Sequence, residues 1–175
     1  MKKLIWVLLS FIWVLTTSSL FAAGGGGGGS GNGGGSASRP TVTAKDPYPT
    51  TAQDYYRSGY SAAKAGKFPE AIQDFRVALT MKSDYPEALN MMGYSLRKTG
   101  KTDEAFSYYE KALNLRPDFP DAREYYGEAY LQSGDLKNAL QQYVLLQKAG
   151  ARQAKDLLAF IDAYVNDKPM PEEDI

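Results

Sequence analysis

The chain has 175 residues, with 20 basic and 20 acidic side chains and with neither histidine nor cysteine. Without these two residue types it lacks disulfide bonds, thiol nucleophiles, histidine general bases and the usual zinc-binding sets. The balanced charge provides no general basic face for nucleic acid. Composition therefore predicts a protein that is not an enzyme of the common kinds and that holds no cofactor or metal.

Residues 1–23 have the pattern of a secretory signal peptide. Lys2 and Lys3 precede an apolar run, and the segment ends on the small residues Ala22 and Ala23. We expect cleavage after one of these alanines and export of the rest of the chain, into the periplasm if the source is bacterial. Secretion and inner-membrane anchoring are the alternatives. An anchor is conceivable because the uncharged stretch is about long enough to span a bilayer, and it would be the only membrane contact.

Residues 24–51 are rich in glycine, serine and proline. Such a composition cannot pack a core or hold regular secondary structure. The sequence therefore predicts a low-complexity, glycine-rich disordered linker between the leader and a folded domain. The glycine run is not a phosphate-binding loop, since no Lys-Ser or Lys-Thr ending follows it.

Five residue columns then recur at a spacing of 34 residues. A period in this range is typical of a solenoid built from helical units. In each unit one amphipathic helical pattern precedes the second glycine and another follows it, which predicts a helix-turn-helix. The columns are Gly59, Gly93 and Gly127; Gly66, Gly100 and Gly134; Ala71, Ala105 and Ala139; Phe75, Tyr109 and Tyr143; and Ala78, Ala112 and Leu146.

The three units span residues 52–85, 86–119 and 120–151. We expect the second helix of the middle unit to follow Thr102 as its N-cap, and that of the third unit to follow Asp135. Both side chains can accept a hydrogen bond from a free N–H group in the first turn of a helix.

The first glycine column lies in the middle of a helix, where glycine costs about 1 kcal/mol relative to alanine. Three such residues in register indicate that a neighbouring helix must come close there. We expect the alanine column to form the opposite small face and the aromatic column to fill the space between adjacent units. The predicted packing residues are Gly59, Gly93, Gly127, Ala71, Ala105 and Ala139.

Residues 152–166 follow the last unit and carry one apolar stripe at helical spacing. A stack of helix pairs leaves an apolar end, so we expect this helix to cap the solenoid; a docking helix for a partner is the alternative. Residues 167–175 are rich in proline and acidic residues and are predicted to be a flexible tail. The stripe of the capping helix consists of Ala154, Leu157, Leu158, Ile161, Tyr164 and Val165.

Over residues 52–151 this pattern resembles the tetratricopeptide-repeat family. The resemblance implies an all-α, right-handed solenoid of three helix-turn-helix units, which the following helix would cap. It departs from the family at Arg123, where an aromatic residue is usual. Of the prolines usual at the ends of units, only Pro117 is kept, while Ser83 and Ala151 occupy the other two positions.

The resemblance also implies a concave groove, lined by the first helix of each unit, in which ligands lie. Helical geometry exposes there the face opposite the packing glycines. The family's clamp for a C-terminal carboxylate, made of Lys and Asn, does not carry over because the first groove helix presents tyrosines. The predicted partner-binding residues are Tyr56, Tyr60, Lys64, Asn90, Tyr94, Arg97, Lys98, Glu124 and Glu128.

Two features of this set suggest recognition of an extended peptide. The three tyrosines can cluster, and the basic residues and the two glutamates can form opposite ends of the groove, which would orient a ligand. The alternative is that Tyr56 and Tyr60 only pack together and that Arg97 and Lys98 complement a helix C-terminus.

The sequence therefore predicts a non-catalytic protein–protein interaction module, an adaptor or assembly factor of the cell envelope that binds a peptide or partner protein. Nucleic acid is not expected as a partner. A self-associating scaffold and an accessory subunit of an envelope enzyme complex are the alternatives. The Glu124–Glu128 pair is of a type that can catalyse acid–base chemistry, but such pairs are usually solvated helix faces.

Overall fold

The computed structural model describes residues 49–173 and 175, so the predicted signal peptide and nearly all of the predicted linker lie outside the described residues. The described chain contains seven α-helices and no strand. None of these helices is long and apolar enough to cross a membrane. They are α1 (Ala52–Lys64), α2 (Phe68–Met81), α3 (Pro86–Lys98), α4 (Thr102–Leu115), α5 (Pro120–Gln132), α6 (Leu136–Lys148) and α7 (Gln153–Val165).

The helices begin at capping residues or at prolines. Thr51 and Asp54 form a capping box at the start of α1, in which each side chain accepts a hydrogen bond from the other's backbone N–H, at 3.1 and 3.2 Å. Asp135 caps α6 by accepting from the backbone N–H of Asn138 at 3.0 Å. Helices α3 and α5 instead start with proline, whose missing N–H costs nothing in the first turn.

The expectation that Thr102 is an N-cap is wrong. Thr102 is the first residue of α4, and the N-cap is Lys101, which makes no side-chain capping bond. The repeat itself explains the difference, because Lys101, not Thr102, lies 34 residues before the cap Asp135.

The second glycine column ends the first helix of each unit in a Schellman motif. At the end of α3, Gly100 adopts a left-handed backbone with φ of 80°. Its N–H donates to the carbonyl of Arg97 at 3.0 Å, and the N–H of Lys101 donates to the carbonyl of Leu96 at 2.9 Å. Left-handed backbone favours glycine, so this column fixes the reversal between the two helices of a unit.

The helices pack as three consecutive pairs, α1 with α2, α3 with α4 and α5 with α6. The first helices also contact one another, α1 with α3 and α3 with α5, and α7 packs on α5 and α6. The predicted all-α solenoid of helix-turn-helix units with a terminal capping helix is therefore confirmed. We call the side formed by α1, α3 and α5 the groove.

Mid-helix glycines bring the two helices of one unit together. A Cβ atom on Gly59 would lie 2.8 Å from Cε1 of Phe75, and one on Gly93 would lie 2.8 Å from Cε1 of Tyr109. Both rings are fully buried. The aromatic column thus fills the space within a unit, between its first and second helices, and not the space between units that we expected.

The third unit differs because α7 packs against it. A Cβ atom on Gly127 would lie 2.5 Å from Cδ2 of Leu157, which α7 provides. Tyr143, the expected neighbour, is only half-buried. The alanine column nevertheless stays fully buried in all three units, at Ala71, Ala105 and Ala139.

The buried face of α7 is rotated from the predicted stripe. Leu158 and Val165, expected to be inside, are 43% and 59% exposed, whereas Phe160 is buried. Helix α7 contacts both α5 and α6, so its buried face is wider than a single stripe and extends towards the groove. Ile161 lies in that core and is not available as a surface for self-association.

Candidate functional site

Most of the predicted groove residues occupy equivalent positions in successive repeats. Neighbouring first helices present equivalent positions side by side, so residues 34 apart form rows across the groove. Lys64 and Lys98 occupy equivalent positions in a third row. The first row is Tyr56, Asn90 and Glu124, and the second is Tyr60, Tyr94 and Glu128.

The expected cluster of three tyrosines does not form. Tyr56 and Tyr60 pair, with ring centroids 6.1 Å apart. Tyr94 instead packs between Phe68 and Tyr125, at 5.9 and 5.0 Å, and only 3% of it is exposed. The sequence prediction missed Phe68 and Tyr125 because they belong to α2 and to the flank of α5, outside the face that helical geometry assigned to the groove.

The charged groove residues meet in the centre of the groove. Nη2 of Arg97 on α3 lies 2.8 Å from Oε2 of Glu128 on α5, and both side chains are buried. This contact corrects the prediction of a basic end and an acidic end for these two residues. Adjacent first helices bring the two side chains together in the interior.

The C-terminal residues lie in the same place. Glu173 accepts two hydrogen bonds from the Arg97 guanidinium, from Nη1 at 3.1 Å and from Nη2 at 2.6 Å. Nζ of Lys98 donates to the same carboxylate at 3.3 Å. We predicted a flexible tail for residues 167–175. Within these residues, Glu173 contacts the groove through its ion pairs with Arg97 and Lys98.

The two carboxyl groups around Arg97 titrate differently. Burial raises the pKa of Glu128 to about 8, and the neighbouring Glu173 adds to this effect while Arg97 opposes it. Burial also acts to raise the pKa of Glu173, but its hydrogen bonds and its attraction to Arg97 and Lys98 outweigh burial and leave the pKa below its ordinary value. Of the two carboxyl groups, Glu173 is therefore the one that more readily carries the negative charge that pairs with Arg97.

Glu124 forms the acidic flank of the groove, near α7. Burial raises its pKa to about 7, and the charges of Asp156 and Asp121 add to the effect. These acidic side chains do not form a metal site, since no group of candidate ligands with the required geometry occurs among residues 49–173. The Glu124–Glu128 pair is thus not the solvated helix face considered from the sequence.

Open space remains on both sides of Glu173. A cavity of about 390 Å³ lies between Glu173 and Arg97, Leu131 and Phe160. A second, of about 230 Å³, lies between Glu173 and Glu124, Tyr125 and Phe160. The C-terminal residues therefore do not fill the groove, and its walls can contact a larger occupant.

The predicted residues differ in accessibility. Lys64 is exposed, the side chain of Lys98 is 32% exposed, and Tyr60 is half-buried. Asn90 is buried, and its side-chain oxygen accepts no hydrogen bond from the residues that the structure describes. Contact with a partner is thus available at Tyr60, Lys64 and Lys98, whereas Asn90 lies below the surface.

The site contains residues that sequence reasoning did not assign to it, above all Glu173 and Ile175. Ile175 packs against the core cluster that includes Tyr94 and Tyr125. The only signal in the sequence was charge complementarity between the acidic C-terminal residues and the basic residues Arg97 and Lys98 of the groove. That signal does not reveal that the chain turns back after α7.

Together these features define an α-solenoid whose first helices line a groove with a buried basic centre, which is a class of protein-interaction domain. A model of the tetratricopeptide repeat family matches residues 90–154. With the repeat register and the helix pairing, this match shows that the helical domain contains tetratricopeptide repeats.

Solved structures share the fold. A type III secretion translocator chaperone of Yersinia enterocolitica, SycD, is 19% identical, with a TM-score of 0.59 over 70% of this chain and 94% of that one. The first tetratricopeptide domain of Spaghetti (RPAP3), bound to the HSP90 peptide SRMEEVD, is 20% identical, with a TM-score of 0.59 over 66% of this chain and 94% of that one. PcrH, in complex with the chaperone-binding region of PopD, is 20% identical, with a TM-score of 0.59 over 67% of this chain and 92% of that one. No curated protein matches the sequence.

Proposed function

We propose that this domain is a non-catalytic interaction module that binds an extended, acidic segment of a partner protein in the groove. The observation that carries the proposal is the Arg97–Lys98 pair, which receives a glutamate side chain through three hydrogen bonds at the groove centre. A bidentate guanidinium–carboxylate contact is strong and geometrically specific. A glutamate of a partner can take the same position.

The structural relatives support a peptide as the ligand. The Spaghetti domain is bound to a seven-residue peptide with two consecutive glutamates, and PcrH is bound to a region of PopD. The helices fix the shape of the groove before binding. Most of the conformational entropy lost on binding is therefore that of the partner segment. Affinity then depends on how well its acidic and apolar side chains fit the centre and the two flanking cavities.

Site-specific crosslinking in the native cell tests this function. We expect a photoreactive residue at position 60, in the groove, to capture a defined partner, and one at position 144, on the exposed face of α6, to capture none. Introducing Lys98→Glu should lower the yield at position 60 on the order of fivefold, because it replaces the partly exposed positive charge of Lys98 with a negative one.

Lys148→Glu is the matched control, since Lys148 ends α6 as Lys98 ends α3 and the two changes perturb a helix C-terminus alike. The groove would not be the binding site if positions 60 and 144 captured the partner equally. The same conclusion would follow if Lys98→Glu and Lys148→Glu lowered the crosslinking yield equally. The absence of any capture at position 60 would contradict the proposed function itself.

We also propose that the domain acts outside the cytoplasm, in the cell envelope. The observation behind this proposal is the basic, then apolar, then small-residue pattern of residues 1–23. Intact-mass measurement of the protein purified from its native source should show a chain that begins at Ala23 or Gly24. A mass that includes Met1 would instead indicate a retained N-terminal segment and contradict cleavage.

A further inference from the structure

The chain reverses after α7 and returns to the groove. Asp167 adopts a left-handed backbone with φ of 52°, and the N–H of Lys168 donates to the carbonyl of Ala163 at 2.9 Å, which closes the end of the helix. Aspartate tolerates this conformation better than most residues. We call residues 169–175 the C-terminal segment, and the reversal directs its described residues back over α5 and α3.

From Met170 onward, the described part of the C-terminal segment has the exposure pattern of a bound extended peptide. Pro171, Glu173 and Ile175 are partly buried, whereas Met170 and Glu172 are exposed. Alternation with a period of two is the pattern of an extended chain with one face against a surface. The inward residues also make specific contacts: Glu173 hydrogen-bonds to Arg97 and Lys98, and Ile175 packs on the core.

We propose that the C-terminal segment is an intramolecular ligand of the groove, which a partner segment of the same chemistry must displace. This inference rests on the proposed function and names its ligand class: an extended segment with a glutamate two residues before an apolar residue. The glutamate pairs with Arg97 and Lys98, and the apolar residue takes the position of Ile175.

Covalent attachment makes the segment an effective competitor. A ligand joined by a short connection acts at an effective concentration on the order of 1 mM, without any additional contact. A free partner therefore binds well only if it uses more of the groove than the segment does. The two cavities beside Glu173, of about 390 and 230 Å³, offer that additional surface.

The test compares two neighbouring charge reversals in the full chain, Glu173→Lys and Glu172→Lys. The probe is a synthetic peptide with the sequence of residues 168–175, titrated into each variant and followed by anisotropy. We expect Glu173→Lys to bind the peptide at least tenfold more tightly than the wild-type chain does, because its own segment leaves the groove. Glu172→Lys should behave like the wild type, because Arg97 and Lys98 pair with Glu173 and not with the exposed Glu172.

Release of Ile175 by carboxypeptidase gives a second readout that needs no added ligand. Digestion should be fast in Glu173→Lys and slow in both the wild type and Glu172→Lys. Equal peptide affinities for both variants together with equal digestion rates would overturn the proposal. Protection of Ile175 that disappears on dilution would also overturn it, since the segment would then occupy the groove of a second copy.

The two proposals can fail separately. Suppose that crosslinks form in the groove but that Glu173→Lys and Glu172→Lys have the same peptide affinity and digestion rate. The proposed function would then stand, and the proposal of an intramolecular ligand would be refuted. A clear difference between the variants without groove crosslinks would establish the C-terminal segment as a ligand and refute binding of a partner in the native cell.

Discussion

Replacing Gly93 with leucine should lower the free energy of unfolding by about 3 kcal/mol. A Cβ atom at this position would lie 2.8 Å from Cε1 and 3.0 Å from Cδ1 of Tyr109. The Tyr109 ring is fully buried and cannot move away without displacing α3 from α4. The improved helix propensity of leucine offsets only about 1 kcal/mol of this cost. Urea denaturation measures the difference directly.

Two further variants separate overpacking from a general effect of leucine. Ser58→Leu adds a similar side chain at an exposed position of α1 and should change stability by less than about 0.5 kcal/mol. Adding Tyr109→Ala to Gly93→Leu should recover part of the loss, because the truncation removes the ring that the leucine meets. Unchanged stability of Gly93→Leu would mean that the helices do not require close contact at this glycine.

The solenoid could be predicted because its determinants are local and repeated. Each turn between helices requires a left-handed residue, and glycine appears there at a fixed spacing, as at Gly66 and Gly100. The close contact of Gly93 with Tyr109 likewise recurs 34 residues earlier, between Gly59 and Phe75. A pattern that depends only on one helix and the turn next to it can be recognised in a single sequence. Its repetition at a fixed spacing then excludes a chance arrangement.

The centre of the groove could not be predicted, because it depends on residues far apart in the chain. Arg97 contacts Glu128 from the next unit and Glu173 from beyond the last helix, 76 residues away. Helical geometry assigns a residue to a face but does not say what covers that face. The burial of Asn90 and the rotation of α7 have the same origin, since both depend on neighbouring elements and not on the helix itself.

Stability should be greatest near pH 5 and should fall by about 2–4 kcal/mol towards pH 8. In the folded chain the pKa values of Glu124 and Glu128 are raised to about 7 and about 8, while the unfolded chain loses these protons near the ordinary value of 4.5. Between these limits the unfolded state binds fewer protons, so a rise in pH favours unfolding. Below about pH 4.5 the direction reverses, because the lowered pKa of Glu173 makes protonation favour the unfolded state.

Glu128→Gln should remove most of the alkaline loss. Glutamine has nearly the shape of the protonated glutamate, and Arg97 keeps Glu173 as its charged partner, so no unpaired charge is left in the interior. At pH 8 the variant should be about 2 kcal/mol more stable than the wild type, and at pH 5 the two should be nearly equal. Urea denaturation at constant ionic strength measures both.

Glu104→Gln is the control for the removal of a charge, because the Glu104 side chain is 62% exposed. This variant should show the same dependence of stability on pH as the wild type. The contrary result, a Glu128→Gln chain less stable than the wild type at pH 8, would show that Arg97 requires two ionised carboxylates. Glu173 would then not suffice to neutralise the groove centre. An acidic partner would have to bind beside an already charged Glu128, and the attraction of the groove for acidic segments would be weaker than proposed here.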